Sequence, residues 1–355
     1  MKIWSAAAWF MSLLLLGSCT TDFEVYAPEK EIRSVYCVLN PNDSVQYVRV
    51  AKAFQFRGDA LQYAAANDLS VTGRVVKLSN GNKTWFATQE TMPKDSGDFY
   101  PFHAVYKFVT DGSGVGKDTL REGQTYRLEI GAPEDDDYVT GETVVPSVPR
   151  IKGELNIISA AGSSKCLPTL ALERKFNMFW QKAPEAGVFY EVRVRMEFER
   201  NGVPQPTIVW GPTELFNVNR RCNEGSGNIC YQFAERELLR SFFRKMPVEN
   251  GVSYTYNTAN ACVPNSTLLN LMPKSLCFEA TAVDEKLSNY MQVNNPKFLD
   301  LTGTKPEYTN LGGKIDVVGI FGSYSTDRKY AVLNDCSEAL LGLNGQVLPP
   351  ACNWE

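Results

Sequence analysis

At 355 residues, 44% hydrophobic and 21% charged, the chain has the material for buried cores and lacks the composition of a disordered polymer. Its 40 acidic against 36 basic residues give a formal net charge of −4 with no long basic block, which argues against nucleic acid or anionic headgroups as electrostatic partners. The single histidine, His103, sits in Pro101-Phe102-His103-Ala104-Val105-Tyr106 and leaves no material for a two-histidine zinc site, nor a nucleophile or acid beside it for a triad.

The N-terminus sets the expected location. Lys2 precedes an apolar run of 14 residues, 3–16, shorter than the roughly 20 that a spanning helix needs. Leu16-Gly17-Ser18-Cys19 reads as a lipobox, with cleavage after Ser18 and acylation of Cys19. Residues 1–18 are then a signal peptide, and the first partner is membrane lipid through acylated Cys19, because two or more acyl chains anchor stably without crossing. Residues 19–30 form a polar tether. Asp22 and Glu24 just after the anchor resemble a surface-export address, so the expected place is the outer membrane, facing either the cell surface or the periplasm.

Eight further cysteines suit an oxidising envelope, and seven of them lie beyond residue 150. Cys222 and Cys230 bound a loop rich in Gly and Asn that a disulfide would staple, and Cys336 with Cys352 could tie down the C-terminal tail. Cys37, inside an apolar run, reads as a buried free thiol. Without a Cys-x-x-Cys pair, zinc is disfavoured, and no cofactor is expected.

In chain order, apolar runs at 32–39 and 45–53 flank Asn40-Pro41-Asn42-Asp43, which reads as a β-hairpin. Runs at 71–79 and 83–87 flank Asn80-Gly81-Asn82, the signature of a second hairpin. A short helical turn is expected near 61–65. Residues 111–118 have the glycines of a phosphate loop but no Gly-Lys-Ser/Thr ending, and read as a hairpin turn. Strict alternation over 125–130 gives a half-buried strand. Glu134-Asp135-Asp136-Asp137 supplies Asp135, Asp136 and Asp137 as calcium candidates, with a solvated turn as the favoured reading. Trp85, Tyr100, Phe102 and Trp210 could stack on a sugar or a partner, although core packing is the commoner fate. The fold class expected for residues 31–144 is a β-sandwich of immunoglobulin or transthyretin type.

Val145-Pro146-Ser147-Val148-Pro149 marks a linker over 145–150, because proline cannot continue a central strand. Residues 151–355 then form a second β-sandwich. Its strongest strand, 190–199, turns Tyr190, Val192, Val194, Met196 and Phe198 to one face and charges to the other. An insertion over about 201–272 holds the Cys222/Cys230 loop and a helix over 232–245, with Leu238, Leu239, Phe242, Phe243 and Met246 as its apolar stripe. Residues 277–284 read as a later core strand. Phe176-Asn177-Met178-Phe179-Trp180, followed by Ala183-Pro184-Glu185-Ala186-Gly187, resembles the tryptophan strand and turn of a fibronectin type III domain.

Asn310-Leu311-Gly312-Gly313 with Val318-Gly319-Ile320-Phe321-Gly322-Ser323-Tyr324 resembles the closing motif of an uncharacterised family of Bacteroidetes outer-membrane lipoproteins, classified as a domain of unknown function. Val38-Leu39-Asn40, Gly123-Gln124-Thr125-Tyr126-Arg127-Leu128-Glu129 and Val145-Pro146 are similar to its first domain. Members are often encoded near TonB-dependent receptors, so the resemblance implies an accessory role at such a receptor. The expectation is therefore a non-enzymatic surface lipoprotein acting with a TonB-dependent receptor in nutrient capture or import, its ligand unknown. A structural or adhesive envelope protein is the alternative, and a hydrolase ranks last because no pair of carboxylates stands out.

Overall fold

A computed structural model describes residues 32–53, 60–94, 100–110, 119–152, 169–170, 176–211, 215–220, 222, 227–233, 237–246, 251–255, 276–294, 308–333 and 335–343. The protein is mainly β. In the first half, β1 (Ile32–Leu39) and β2 (Val45–Ala53) precede α1 (Ala60–Ala66), β3 (Val76–Ser79), β4 (Thr84–Phe86), β5 (Thr88–Pro93), β6 (Phe102–Val109), β7 (Thr125–Ile130) and β8 (Val139–Val144). The second half holds β9 (Thr169–Leu170), β10 (Phe176–Gln181), β11 (Phe189–Met196), β12 (Glu199–Arg200), β13 (Val203–Pro204), β14 (Ile208–Trp210), β15 (Asn228–Phe233) and α2 (Glu237–Lys245). It continues with β16 (Tyr254–Thr255), β17 (Leu276–Val283), α3 (Glu285–Val293), β18 (Leu311–Gly313), β19 (Asp316–Leu333) and α4 (Asp335–Leu340).

The hairpin signals act locally, as expected. β1 and β2 pair antiparallel. In their turn the Asn40 side chain accepts from the Asn42 amide (3.1 Å), and the buried Gln46 carboxamide bonds both the N–H and the C=O of Asn40 (2.9 Å each). Asn80 plays the same part between β3 and β4, accepting from the amides of Asn82 and Lys83. The second run begins its strand at Val76 rather than at 71, because the Val71 amide is bonded to Val50 of β2 instead.

Two layered cores result. In the first, β18-β8-β7-β3-β4 form one sheet, and β1, β2, β6 and β5 belong to the facing one. Val35, Leu39, Val48, Val50, Leu78, Tyr106, Phe108, Tyr126 and Leu128 fill the space between them. In the second, β14-β11-β17-β19 face the pair β10-β15. Tyr190, Val192, Val194, Met196 and Phe198 all point inward there, as their alternation requires, around Trp180 and Phe278.

A division of the chain at 145–150 does not describe this architecture. The first sandwich borrows its last strands from the C-terminal region: β18 pairs with β8, and the first half of β19 pairs in parallel with β1 over its whole length. The second half of β19 pairs with β17, so one 18-residue strand contributes Phe321 to the first core and Ala331 and Leu333 to the second. The parallel β1–β19 pairing needs a long crossover, which here is the whole second sandwich. Residues 144–151 are extended, but they are stitched along β19 by alternate side chains of one face. Ser323 Oγ donates to the Val144 carbonyl (2.8 Å), Ser325 Oγ donates to the Ser147 carbonyl (3.2 Å), and Asp327 accepts from the Ile151 amide (2.7 Å).

Residues 201–272 are likewise no appendage. Their described parts supply β14 and β15, and Ile208, Phe216, Ile229 and Phe233 belong to the second core. The expected helix over 232–245 starts at Glu237. Residues up to Phe233 form β15 instead, because Ile229, Tyr231 and Phe233 alternate into the core while pairing with β10. Of the α2 stripe, Leu238, Phe242 and Met246 are buried in the second core.

Candidate functional site

The site is built where the two sandwiches meet. A cavity of about 290 Å³ is bounded by Thr125 of β7, Glu142, Thr143 and Val144 of β8, the turn at Glu185, Ala186 and Val188, and Asp284, Glu285 and Lys286 at the start of α3. Its centre is Asp284. This residue caps α3 from an extended conformation, and its Oδ1 accepts from the Leu287 amide (2.9 Å). The same oxygen accepts from the Ser323 amide (3.2 Å), while Oδ2 accepts from the Thr143 hydroxyl (2.6 Å). One buried carboxylate thus ties β8, β19 and α3 together. Burial raises its pKa above the ordinary value against these hydrogen bonds, which pull it down.

The other acids have separate duties. Glu185 accepts from the Ser147 hydroxyl (2.7 Å) and amide (3.2 Å), clasping the turn to the connection between sandwiches. Glu142 lies near Arg127 at 3.8 Å with most of its side chain in solvent, and Glu285 and Lys286 are exposed at the mouth. The result is a preformed pocket with apolar walls at Val144, Ala186 and Val188 and an acidic rim. It can accept hydrogen-bond donors, and Lys286 is the cation on its lining.

The residues singled out from sequence are scattered. Ser18, Cys19 and Cys352 lie outside the described residues, as does the glycine run 111–118. Cys222 and Cys230 form a disulfide. Cys336 is also disulfide-bonded, and Cys37 is a buried free thiol whose pKa is raised by burial. Asp135, Asp136 and Asp137 do not converge. Asp135 accepts from the Ala132 amide (2.8 Å), Asp136 is exposed, and Asp137 is paired with Arg33 (2.9 Å) and Arg74 (2.5 Å). A carboxylate already neutralised by two guanidinium groups is a poor calcium ligand. Among the described residues no group of three His, Cys, Asp or Glu is placed to hold a metal ion. His103 lies in β6, opposite Met92, away from the cavity. Trp85 packs in the first core and Trp210 against the second, whereas Phe102 is exposed.

Sequence reasoning missed Asp284, Thr143, Glu185 and Ser323. A signal existed for the first, since an Asp ending a strand and followed by Glu285 is a helix N-cap pattern, and α3 follows it. The closing motif acquires its physical meaning here. Asn310 accepts from the Phe321 amide (3.0 Å) and donates to the Phe321 carbonyl (2.6 Å) and the Glu142 carbonyl (3.0 Å), acting as a side-chain strand between β8 and β19. Gly322 lets α3 approach, because a Cβ there would lie 2.7 Å from the Leu287 Cβ.

Fold and site together define a mainly β protein of two sandwiches sharing one long strand, with a carboxylate-centred pocket at their junction. The chain belongs to the family described as domain of unknown function DUF4249, whose model matches residues 20–330 and so takes in both sandwiches. No curated protein matches the chain. Among the described residues no helix is long and apolar enough to cross a membrane.

Proposed function

We propose that the protein is a lipid-anchored, non-enzymatic outer-membrane lipoprotein that binds a small polar ligand or a partner segment as an accessory to a TonB-dependent receptor in nutrient capture. The observation that carries this reading is the junction pocket. Its walls come from β7, β8, the turn at 185–188 and the start of α3, with β8 and α3 joined by the Asp284 hydrogen bonds, and its volume suits a small molecule or one side group of a larger one. The lipobox at Leu16-Gly17-Ser18-Cys19 supports the location. Two carboxylates of the pocket, Asp284 and Glu185, are occupied in holding the walls, which favours binding over acid–base chemistry.

The test is a mild-detergent pull-down of the tagged protein from its native outer membrane, read by mass spectrometry. Stoichiometric recovery of a TonB-dependent receptor is the expected result. Recovery alone, or with surface-filament proteins, would overturn the accessory role and favour a structural or adhesive one.

A further inference from the structure

Large apolar side chains are exposed together at one end of the first sandwich, and it is the end at which the chain enters. β1 begins there at Ile32, opposite Ala53 of β2 and Asp316 of β19. Leu61 of α1 is 70% exposed, Val75 56% and Phe102 48%. Hydrogen bonds and register place all three at this end. The Ala64 carbonyl in α1 accepts from the Tyr100 amide (3.1 Å), and the segment after α1 runs along the last residues of β2, with Lys52 N bonded to Leu69 O (2.9 Å). Phe102 opens β6 opposite Pro93. Val75 precedes β3, where Val76 meets Ile130 at the end of β7, and the Val75 carbonyl accepts from the Gly131 amide (2.9 Å).

Among the described residues, charge at this end carries both signs. Asp137 is held by Arg33 and Arg74, and Lys314 Nζ donates to the Glu134 carbonyl. The patch therefore offers apolar contact and no strong electrostatic attraction.

We infer that this end of the first sandwich seats in the interfacial layer of a lipid bilayer, with its strands standing off the membrane and the second sandwich held away from it. The inference rests on reading Cys19 as the lipid anchor. Twelve residues, 20–31, separate Cys19 from β1, and they reach at most about 40 Å, so the start of β1 is held within that distance of the anchor. β19 starts at the same end, and at about 3.3 Å per residue its far end is roughly 60 Å away, in the second core.

The test uses the full-length acylated protein in vesicles of zwitterionic phosphatidylethanolamine and phosphatidylcholine. Backbone hydrogen exchange is measured by mass spectrometry, and the mass of the N-terminal lipopeptide is read in the same sample. Peptides covering 60–66 and 100–104 should exchange about tenfold more slowly in vesicles than in the protein freed by cutting its tether, while peptides over 208–210 stay unchanged. The double variant Leu61→Asp/Phe102→Asp should keep its acyl chains and the protection of 125–130, and lose the added protection. An acylated N-terminus with unchanged exchange at 60–66 and 100–104 would overturn the seating and leave the anchor standing. An unacylated N-terminus would overturn both. Protection that arises without vesicles on raising the protein concentration would assign the patch to a second copy and overturn the inference.

Discussion

Gly319 shows at the scale of one residue why a glycine-rich strand closes this fold. It has φ +112°, and a Cβ there would overlap the Val35 carbonyl oxygen on the neighbouring β1. Gly319→Val is expected to cost about 3 kcal/mol or prevent folding, read as a lowered urea midpoint. Asp284 makes a prediction with a sign. Its folded-state pKa is raised, chiefly by burial, so the native chain holds the proton more tightly than the unfolded one. Its contribution is then most favourable in acid and declines as pH rises from about 4 through the native value. Asp284→Asn, neutral throughout, should gain stability relative to the wild type as pH rises from about 4 through the native value of Asp284, and urea melts at increasing pH check the trend. Asp284→Ala should be worse at every pH, by about 3 kcal/mol, because the Thr143 hydroxyl and the Leu287 and Ser323 amides would lose their acceptor.

Among the elements, the Cys222–Cys230 link closes a loop of sequence separation 8 onto β15, whose Cys230 is fully buried opposite Phe179. Non-reducing peptide mapping should return the two cysteines joined, and Cys222→Ala should lower stability by about 2.5 kcal/mol. Elements with one wet face were legible from sequence: β1, β2, β7 and β11 alternate, and alternation is a local property. β15 was not, because a strand rich in apolar residues runs directly towards a helix with an apolar stripe, and Tyr231 and Phe233 fit both patterns. α3 was missed for the opposite reason. It packs on Val283 and Ile320 through Leu287, so its buried side is too narrow to stand out as a stripe.

For the whole molecule, β19 is the decisive element. Because its Phe321 belongs to one core and its Ala331 and Leu333 to the other, and because Ser323, Ser325 and Asp327 bind the connection between them, neither sandwich can unfold and leave the other intact. Thermal unfolding should therefore show one cooperative transition, with fluorescence from Trp85 in the first core and from Trp180 in the second changing together. Two separated transitions would mean that the shared strand does not couple the cores. The sequence by itself determined the β class, the hairpins, the inward faces of the strands, the Cys222–Cys230 pairing and the resemblance to the family, all of which depend on residue type and short spacing. Only the tertiary structure decided that the first sandwich is completed from residues beyond 310, that the linker is bound along its length, and that Thr143, Glu185 and Asp284 line one pocket, with Ser323 bonded to Asp284. Hydrophobic burial is non-directional, so an alternating strand such as β1 can satisfy its apolar face against many partners. Its pairing with a strand 284 residues away is fixed by packing and register, which no local pattern records.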